Sequence, residues 1–159
     1  MQIRHCRSDD YLNVSSVIKT WWNGRDMKLP RLFFEHFQNT SFIIENDAQE
    51  VIGFLIGFIS QSQPNEAYIH FVGVHPEYRK KGLAQKLYDL FFLEVKMHDV
   101  HQVRCITSII NKQSIAFHTR IGFEIVNGDK EIEGIQVHSN HGGEGVDRVL
   151  FVKGLNEFE

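Results

Sequence analysis

The sequence of residues 74–84 is Val74-His75-Pro76-Glu77-Tyr78-Arg79-Lys80-Lys81-Gly82-Leu83-Ala84. This stretch joins an alternating strand pattern to a helical pattern. Pro76 cannot donate a hydrogen bond to a strand partner, so the strand is predicted to end there. Three basic side chains follow, and Gly82 has no Cβ, so a bulky anion can approach its backbone closely. Because the first turn of a helix has backbone N–H groups without partners, the turn predicts a site for a phosphate or pyrophosphate group.

The turn differs from two other phosphate-binding loops, since the chain contains neither GxxxxGK[ST] nor GxGxxG. Its pattern Arg79-x-x-Gly82-x-Ala84 instead resembles [RQ]-x-x-G-x-[GA], the acetyl-CoA signature of the GNAT acetyltransferase superfamily. A later segment is similar to the family's motif N-x-x-[SA]-x-x-[FL]-Y-x-x-x-G-F, and it reads Asn111-Lys112-Gln113-Ser114-Ile115-Ala116-Phe117-His118-Thr119-Arg120-Ile121-Gly122-Phe123. Two motifs in the family's order make the resemblance specific, and it covers most of the chain.

The resemblance implies an N-acetyltransferase that moves an acetyl group from acetyl-CoA to a primary amine of a small molecule or peptide. Transfer would be direct, through a tetrahedral intermediate, because two substrates that are held together need no covalent enzyme intermediate. A non-catalytic acyl-CoA sensor or partner module remains the alternative from another class. A third interpretation is nucleotide or nucleic-acid binding through the basic residues 79–81.

The family also implies which residues contact acetyl-CoA. The strand before the basic turn pairs with the pantetheine arm, and one of its backbone N–H groups polarises the thioester carbonyl. The turn holds the pyrophosphate, and the second motif touches CoA. Carried over to this sequence, the contacts are Val72, Gly73, Val74, Arg79, Lys80, Lys81, Gly82, Leu83, Ala84, Asn111, Ser114, Phe117 and His118. Asn111 is equally well explained as a plain helix N-cap.

Acetyl transfer to an amine requires a base, because a lysine-like amine has a pKa of about 10.4. His70 and Glu66 lie on the same face of an alternating strand, and His70 occupies the position where many family members have a carboxylate. The departing thiolate, with a pKa of about 8.5, needs an acid or another stabilising contact. His118 stands where the family usually has the tyrosine that protonates the sulfur, so it is the acid candidate or only a CoA contact. Tyr88 is a weaker substitute.

Composition restricts the class of protein. The 159 residues fit one domain, residues 1–159, with 42% apolar and 23% charged residues. The net charge of −3 argues against general nucleic-acid binding. The longest apolar run, Val51–Ile59, is too short to cross a membrane as a helix, and the charged N-terminus does not resemble a signal peptide. Cys6 and Cys105 are expected to be buried free thiols in a cytoplasmic protein. The resemblance further implies a homodimer as a candidate oligomeric state.

The fold class predicted from these patterns is α/β. It has a single mixed, mostly antiparallel central sheet with helices on both faces, as in GNAT proteins. The chain is predicted to begin with a strand from Gln2 to Arg7, which contains Cys6. A helix after Ser8 that ends at Asn23-Gly24, a short helix after Pro30 and a strand from Ser41 to Glu45 are predicted to follow. Val51 to Ser60 is a continuous apolar strand, which indicates a central position. The remaining predictions are strands at Glu66 to Val74, Val103 to Ile109, Phe123 to Val126 and Asp147 to Lys153, with one near Ile135 to Val137, and helices from Leu83 to about His98 and from Lys112 to Arg120.

Two further patterns have a possible functional interpretation, as a metal site and as an acceptor pocket. His98-x-x-His101 and His138-x-x-His141 have the spacing of metal ligands, but neither has a nearby cysteine or a fixed third ligand, so no metal site is predicted. Aromatic residues in the first two helices are candidates for the acceptor pocket, although core packing explains them as well. They are Trp21, Trp22, Phe33, Phe34 and Phe37.

Overall fold

The protein, a computed structural model that describes residues 1–22 and 28–156, is an α/β structure with nine strands and four α-helices in the described residues. The strands are β1 (Gln2–His5), β2 (Phe42–Glu45), β3 (Val51–Ile59), β4 (Glu66–Val74), β5 (Gln102–Thr107), β6 (Glu124–Ile125), β7 (Lys130–Ile132), β8 (Ile135–Val137) and β9 (Val149–Gly154). The helices are α1 (Asp10–Trp21), α2 (Leu32–His36), α3 (Leu83–Lys96) and α4 (Lys112–Arg120). The strand order is β1-β2-β3-β4-β5-β9-β6, with β7 and β8 as a separate pair.

The chain divides into two compact units. The first contains residues 1–59 and 69–98, and the second contains residues 60–68 and the described residues from 99 onward. The strand β4 contributes residues to both. The prediction of one domain over residues 1–159 stays a prediction.

The first unit is built on β3. All residues of β3 from Val51 to Gly57 are buried, which confirms the central position predicted from its continuous apolar run. β2 pairs with β3 in antiparallel orientation, and Ile43 lies opposite Phe54. Helix α1 packs against this pair through Val14, Ile18 and Trp21, because these side chains recur at helical spacing. Helix α3 also packs against β3, with Leu87 and Phe91 fully buried.

A buried ion pair connects β1, β2 and α1. The Arg4 guanidinium donates to both carboxylate oxygens of Asp10 at 2.8 Å and to Glu45 Oε1 at 2.8 Å. The Arg7 backbone amide donates to Asp10 Oδ2 at 2.7 Å. Burial opposes the ionisation of Asp10, but the hydrogen bonds from Arg4 and Arg7 outweigh it and hold the pKa of this carboxyl below its ordinary value.

The second unit begins with the first three residues of β4, which pair in parallel with Gln102–Arg104 of β5. β9 is antiparallel to both β5 and β6. The turn between β7 and β8 consists of Glu133 and Gly134, whose φ angles of 51° and 83° are those of a two-residue hairpin turn with positive φ at both positions.

Most elements predicted from the sequence are confirmed, including the mixed sheet with flanking helices. β4 and α4 have the predicted bounds, and the other boundaries differ by up to two residues, as helix and strand ends commonly do. β7 was not predicted, because Glu133-Gly134 is a weak turn signal in a polar segment. Cys6 lies just after β1 rather than in it, and both cysteines are buried free thiols as predicted. The predicted end of the first helix at Asn23-Gly24 lies outside the described residues.

Replacing Asp10 with asparagine is expected to lower the free energy of unfolding by roughly 2 kcal/mol at pH 7, because Arg4 then keeps only Glu45 as a countercharge and loses its two charge-assisted hydrogen bonds to Asp10. The folded pKa of Asp10 is lowered. Its stabilisation is therefore fully present above the ordinary aspartate pKa of about 3.9 and is lost as the pH falls through the folded value. Urea denaturation at pH 7 and pH 3 should show a large difference between the wild type and D10N at pH 7 that shrinks at pH 3.

Asp9→Asn is the matched control, since Asp9 is exposed and makes no side-chain capping bond to α1. It should change stability by less than about 0.5 kcal/mol at either pH. A D10N protein as stable as the wild type at pH 7 would contradict this account of the ion pair.

Candidate functional site

The turn between β4 and α3 has the geometry of an anion site. Lys80 and Gly82 have φ angles of 63° and 79°, and Gly82 is the N-cap residue of α3. A Cβ on Gly82 would meet no atom of the described residues within 4 Å. Gly82 is therefore required for two reasons, the left-handed backbone and the open approach, of which only the second was inferred from the sequence.

The backbone amides at the start of α3 are left without helical partners. The first backbone hydrogen bond of α3 runs from the Lys86 amide to the Gly82 carbonyl, so the amides of residues 82–85 have no partner within the helix. No side chain caps α3, whereas the Asn111 side chain caps α4 by accepting from the Ser114 amide at 3.1 Å. The start of α3 thus has unsatisfied donors at the positive end of the helix dipole, where an anion is stabilised.

The Arg79 side chain donates hydrogen bonds to two backbone carbonyls and so stabilises the conformation of the turn. Its Nε donates to the Val74 carbonyl at 2.9 Å, and its Nη2 donates to the Trp21 carbonyl at 3.5 Å. The neighbouring Lys81 ammonium lies 5.4 Å from the centre of the Tyr78 ring. All three basic residues are exposed and contribute positive charge at the turn, and the hydrogen bonds of Arg79 also stabilise its conformation.

The second half of β4 contains a tightly packed glycine. A Cβ on Gly73 would lie 2.6 Å from Trp22 Cη2 and 2.8 Å from Phe54 Cε1, so no larger residue fits. The burial of this strand alternates as predicted over its first half, where Ala67 and Ile69 are buried between less buried neighbours, and the alternation ends at Gly73 and Val74, which are both buried. His70 is exposed and Phe71 is half-buried, and each contacts an aromatic ring of the first unit.

His70 is held by one of these aromatic contacts. Its imidazole stacks on the Phe33 ring with centroids 4.4 Å apart and planes 7° apart, while the residue as a whole remains exposed. Desolvation lowers the pKa of His70 below its ordinary value. At neutral pH this imidazole is therefore neutral and able to accept a proton.

Only some of the aromatic candidates for the acceptor pocket are accessible. Trp21 and Phe34 are buried in the core, at 4% and 0% exposure, so the prediction is wrong for these two. Trp22, Phe33 and Phe37 are half-buried. Phe58 was missed by the sequence analysis, although it packs 5.1 Å from Phe37 and 6.5 Å from Phe33. Its position at the end of β3, where burial ceases, is the signal that could have found it.

Glu66, in the second unit, is engaged in a structural contact. Its Oε1 accepts from Arg104 Nε and from Gln102 Nε2, both at 2.7 Å. Both partners lie on β5, at the point where that strand pairs with the start of β4. Because one of its oxygens accepts two hydrogen bonds from β5, this geometry favours a structural role for Glu66.

His118 is buried at 7% exposure on α4. Its Nδ1 lies 2.7 Å from the Ser114 carbonyl oxygen, which only accepts, so Nδ1 carries the proton. Its ring stacks on Phe151 at 4.9 Å. Desolvation lowers its pKa, although the Ser114 carbonyl favours protonation. In this neutral tautomer Nε2 has no proton to give, so the geometry disfavours His118 as the acid.

The remaining members of the second motif lie on α4 and its cap. Asn111 is the predicted N-cap, the Ser114 hydroxyl lies 3.2 Å from His118 Nδ1, and the half-buried Phe117 ring lies 5.5 Å from the Arg120 guanidinium. The two histidines His138 and His141 have ring centroids 6.2 Å apart. Across residues 1–22 and 28–156 no three metal-ligating side chains are grouped so as to hold an ion. Within these ranges no helix has the length and apolarity to cross a membrane.

Comparison with known protein families decides the class of this protein. Residues 5–123 match the sequence model of the acetyltransferase (GNAT) family. The chain belongs to this family. A relative in Dictyostelium discoideum, an N-terminal acetyltransferase complex ARD1 subunit homolog, is 27% identical over 139 residues, which is 84% of this chain and 68% of that protein. This GNAT protein is thus an acetyl-CoA-dependent N-acetyltransferase, as the two motifs predicted.

Solved structures agree with the fold. Ard1 from Thermoplasma volcanium superposes with a TM-score of 0.76 at 18% identity, covering 98% of both chains. Diaminobutyrate acetyltransferase EctA from Paenibacillus lautus, in complex with L-2,4-diaminobutyric acid and coenzyme A, superposes with a TM-score of 0.73 at 20% identity, covering 99% of this chain and 98% of that one. At these identities the likeness shows the GNAT fold and leaves the acceptor open.

Replacing His118 with phenylalanine is expected to reduce the loss of stability on acidification. The folded pKa of His118 is lowered, so its stabilisation is complete above the unfolded value of about 6.5 and is lost as the pH falls below that value. Phenylalanine keeps the ring on Phe151 and removes the titrating group. Urea denaturation at pH 7.5 and pH 5 should therefore show a smaller drop for H118F than for the wild type.

The stability of H118F should still fall somewhat on acidification, because the pKa of His70 is also lowered. An equal drop in stability for the wild type and H118F would contradict a neutral, buried His118. A heteronuclear NMR titration of the His118 imidazole provides the direct check.

Proposed function

We propose that this protein transfers an acetyl group from acetyl-CoA directly to a primary amine, with the diphosphate of CoA held at the start of α3 and His70 as the base. The observation that carries the proposal is the uncapped N-terminus of α3 at Gly82, within a sequence that matches the GNAT family. Its unused amides and open approach fit a diphosphate.

The proposed contacts with CoA follow the motif positions. The amides of residues 82–85 bind the pyrophosphate, and the side chains of Lys80 and Lys81 add charge. Arg79 contributes by positioning the turn. Backbone groups of residues 72–74 bind the pantetheine arm and polarise the thioester carbonyl. The Val74 carbonyl already accepts from Arg79, so the remaining backbone groups of this segment supply these contacts.

Residues of the second motif, Asn111, Ser114, Phe117 and His118, are proposed to contact CoA through α4 and its cap. The Asn111 carboxamide oxygen accepts from the Ser114 amide, which leaves its NH₂ group for a ligand. We assign His118 to packing α4 against Phe151 and not to proton transfer, because its tautomer leaves no proton on Nε2.

The chemistry balances without a covalent enzyme intermediate. His70 accepts a proton from the acceptor ammonium, directly or through a water. The amine nitrogen attacks the thioester carbonyl carbon, and the backbone N–H groups stabilise the tetrahedral oxyanion. Collapse of this intermediate breaks the C–S bond and releases the CoA thiolate, and the nitrogen loses its second proton to water to give the neutral amide. With a thiol pKa of about 8.5, the thiolate takes a proton from solvent.

The direct test of the proposed function is a screen of primary amines with acetyl-CoA, in which release of the free CoA thiol is measured together with mass-spectrometric detection of the acetylated amine. Turnover of at least one amine is expected. Thermal stabilisation by CoA without turnover of any amine would favour the sensor alternative, and stabilisation by ATP but not CoA would favour the nucleotide interpretation.

Gly82→Ala is expected to weaken CoA binding by at least about tenfold, which corresponds to 1.4 kcal/mol. The added methyl group enters the open space beside the uncapped amides. The positive φ also costs roughly 1–2 kcal/mol of stability. Gly134→Ala is the matched control, because Gly134 has a φ of 83° and equally open space in the β7–β8 turn. Calorimetric titration with CoA should show lost affinity for G82A alone.

His70→Gln is expected to lower kcat/KM by roughly 100-fold, the usual contribution of a general base. In the wild type kcat/KM should rise with pH through a pKa below 6.5, because the imidazole must be neutral to accept a proton. The variant should lose this acidic limb while its affinity for CoA is unchanged. A pH–rate profile of H70Q that keeps the limb would assign the base to another group.

A further inference from the structure

The short helix α2 presents one aromatic side chain to the core and the next to the surface. Phe34 is fully buried and belongs to the core that α1 and β3 share. Phe33, one residue earlier, is half-buried, and its ring stacks with the His70 imidazole at a centroid distance of 4.4 Å. Since consecutive helical positions are about 100° apart, anchoring Phe34 fixes where Phe33 points. The core therefore sets the position of the ring beneath His70.

Phe33 is part of a larger aromatic surface, which we call the aromatic ledge and define as Phe33, Phe37 and Phe58. Phe37 lies 5.3 Å from Phe33 and 5.1 Å from Phe58, and Phe58 lies 6.5 Å from Phe33. All three rings are partly exposed. The ledge thus offers apolar ring surface that continues from the imidazole of the proposed base.

Two charged side chains on and beside α2 have partners outside the ledge. The Arg31 guanidinium lies 4.3 Å from the centre of the Tyr11 ring, over α1. The Glu35 carboxylate accepts from the Ser8 hydroxyl at 3.1 Å. The surface defined by the three rings is therefore apolar, and a second charge of an acceptor placed against these rings would lose its hydration there.

From this geometry we infer that the aromatic ledge binds a large apolar or aromatic substituent next to the amine of the acceptor, and that Phe33 positions His70. The inference rests on the proposed function and narrows its acceptor class. An apolar substituent gains from burial against the rings, and aromatic faces also attract the incoming ammonium. The same chemistry occurs in an arylalkylamine and in a peptide whose first residue is apolar.

The first experiment compares kcat/KM for four acceptors: phenethylamine, a short peptide that begins with phenylalanine, spermidine and L-2,4-diaminobutyrate. Phenethylamine or the peptide should exceed the other two by at least tenfold, and the difference between these two distinguishes a small molecule from a peptide. Equal or higher kcat/KM for spermidine or diaminobutyrate overturns the inference.

Variants of the ledge then test the contact itself. Phe37→Ala should reduce kcat/KM for the preferred acceptor by about tenfold, mainly through KM, and leave CoA affinity unchanged. Leu32→Ala is the matched control, because Leu32 is an exposed apolar residue at the start of the same helix and outside the ledge. Similar losses in both variants would overturn the inference. If F37A fails to fold, Phe37→Leu is the substitute, because leucine is apolar and of similar size but has no ring. A smaller reduction of kcat/KM in F37L, again mainly through KM, would support the inference. An unchanged kcat/KM would contradict it.

The positioning role of Phe33 has a readout that is independent of turnover. Because stacking desolvates the imidazole, Phe33→Ala should raise the pKa of His70 in an NMR titration and move the acidic limb of the pH–rate profile upward with it. Phe33→Tyr should restore both. An unchanged His70 pKa in F33A contradicts the positioning role even if the enzyme is active. If instead F33A raises the pKa while H70Q retains full activity, the stacking stands and the proposed base is wrong.

Discussion

The left-handed backbone of Gly82 is the constraint on which the proposed use of this fold depends. It lets the chain leave β4 and enter α3 with the amides of residues 82–85 without partners in the helix. Arg79 holds this arrangement by donating to the Val74 carbonyl at the end of β4 and to the Trp21 carbonyl at the end of α1. The positive charge of the turn therefore comes from Arg79 and its two neighbouring lysines, while its conformation depends on Gly82 and on the hydrogen bonds of Arg79.

The same physical effect acts on two histidines with different consequences. Desolvation lowers the pKa of both His70 and His118, so both are neutral near pH 7. His70 is exposed beside a stacked phenylalanine, which suits an imidazole that accepts a proton from an incoming amine. His118 is buried, and its proton is committed to the Ser114 carbonyl. The His118 ring stacks on Phe151 at 4.9 Å, which is consistent with the packing role proposed for this residue.

Local sequence signals predicted the elements whose ends are marked by capping or chain-breaking residues. Pro76 and the strand alternation placed β4, and Asn111 with Gly122 placed α4, because capping and breaking residues act over a few neighbours. The β7 strand was missed because its hairpin turn lacks the usual asparagine or aspartate before glycine. Alternation along β4 is seen in its burial as far as Phe71 and is lost at Gly73 and Val74, which are both buried.

The sequence by itself determined the class of this protein, because the signature proposed to hold a diphosphate is a contiguous run whose backbone conformation depends on its own glycine and proline. It also identified His70 as a candidate base. Only the tertiary structure decided which aromatic residues are core and which are surface. Phe33 and Phe34 are the same residue type at adjacent positions. The packing of α2 on α1 and β3 buries Phe34 and leaves Phe33 stacked on His70. Contacts between residues distant in sequence set burial, and burial sets the protonation of the site, which no local pattern contains.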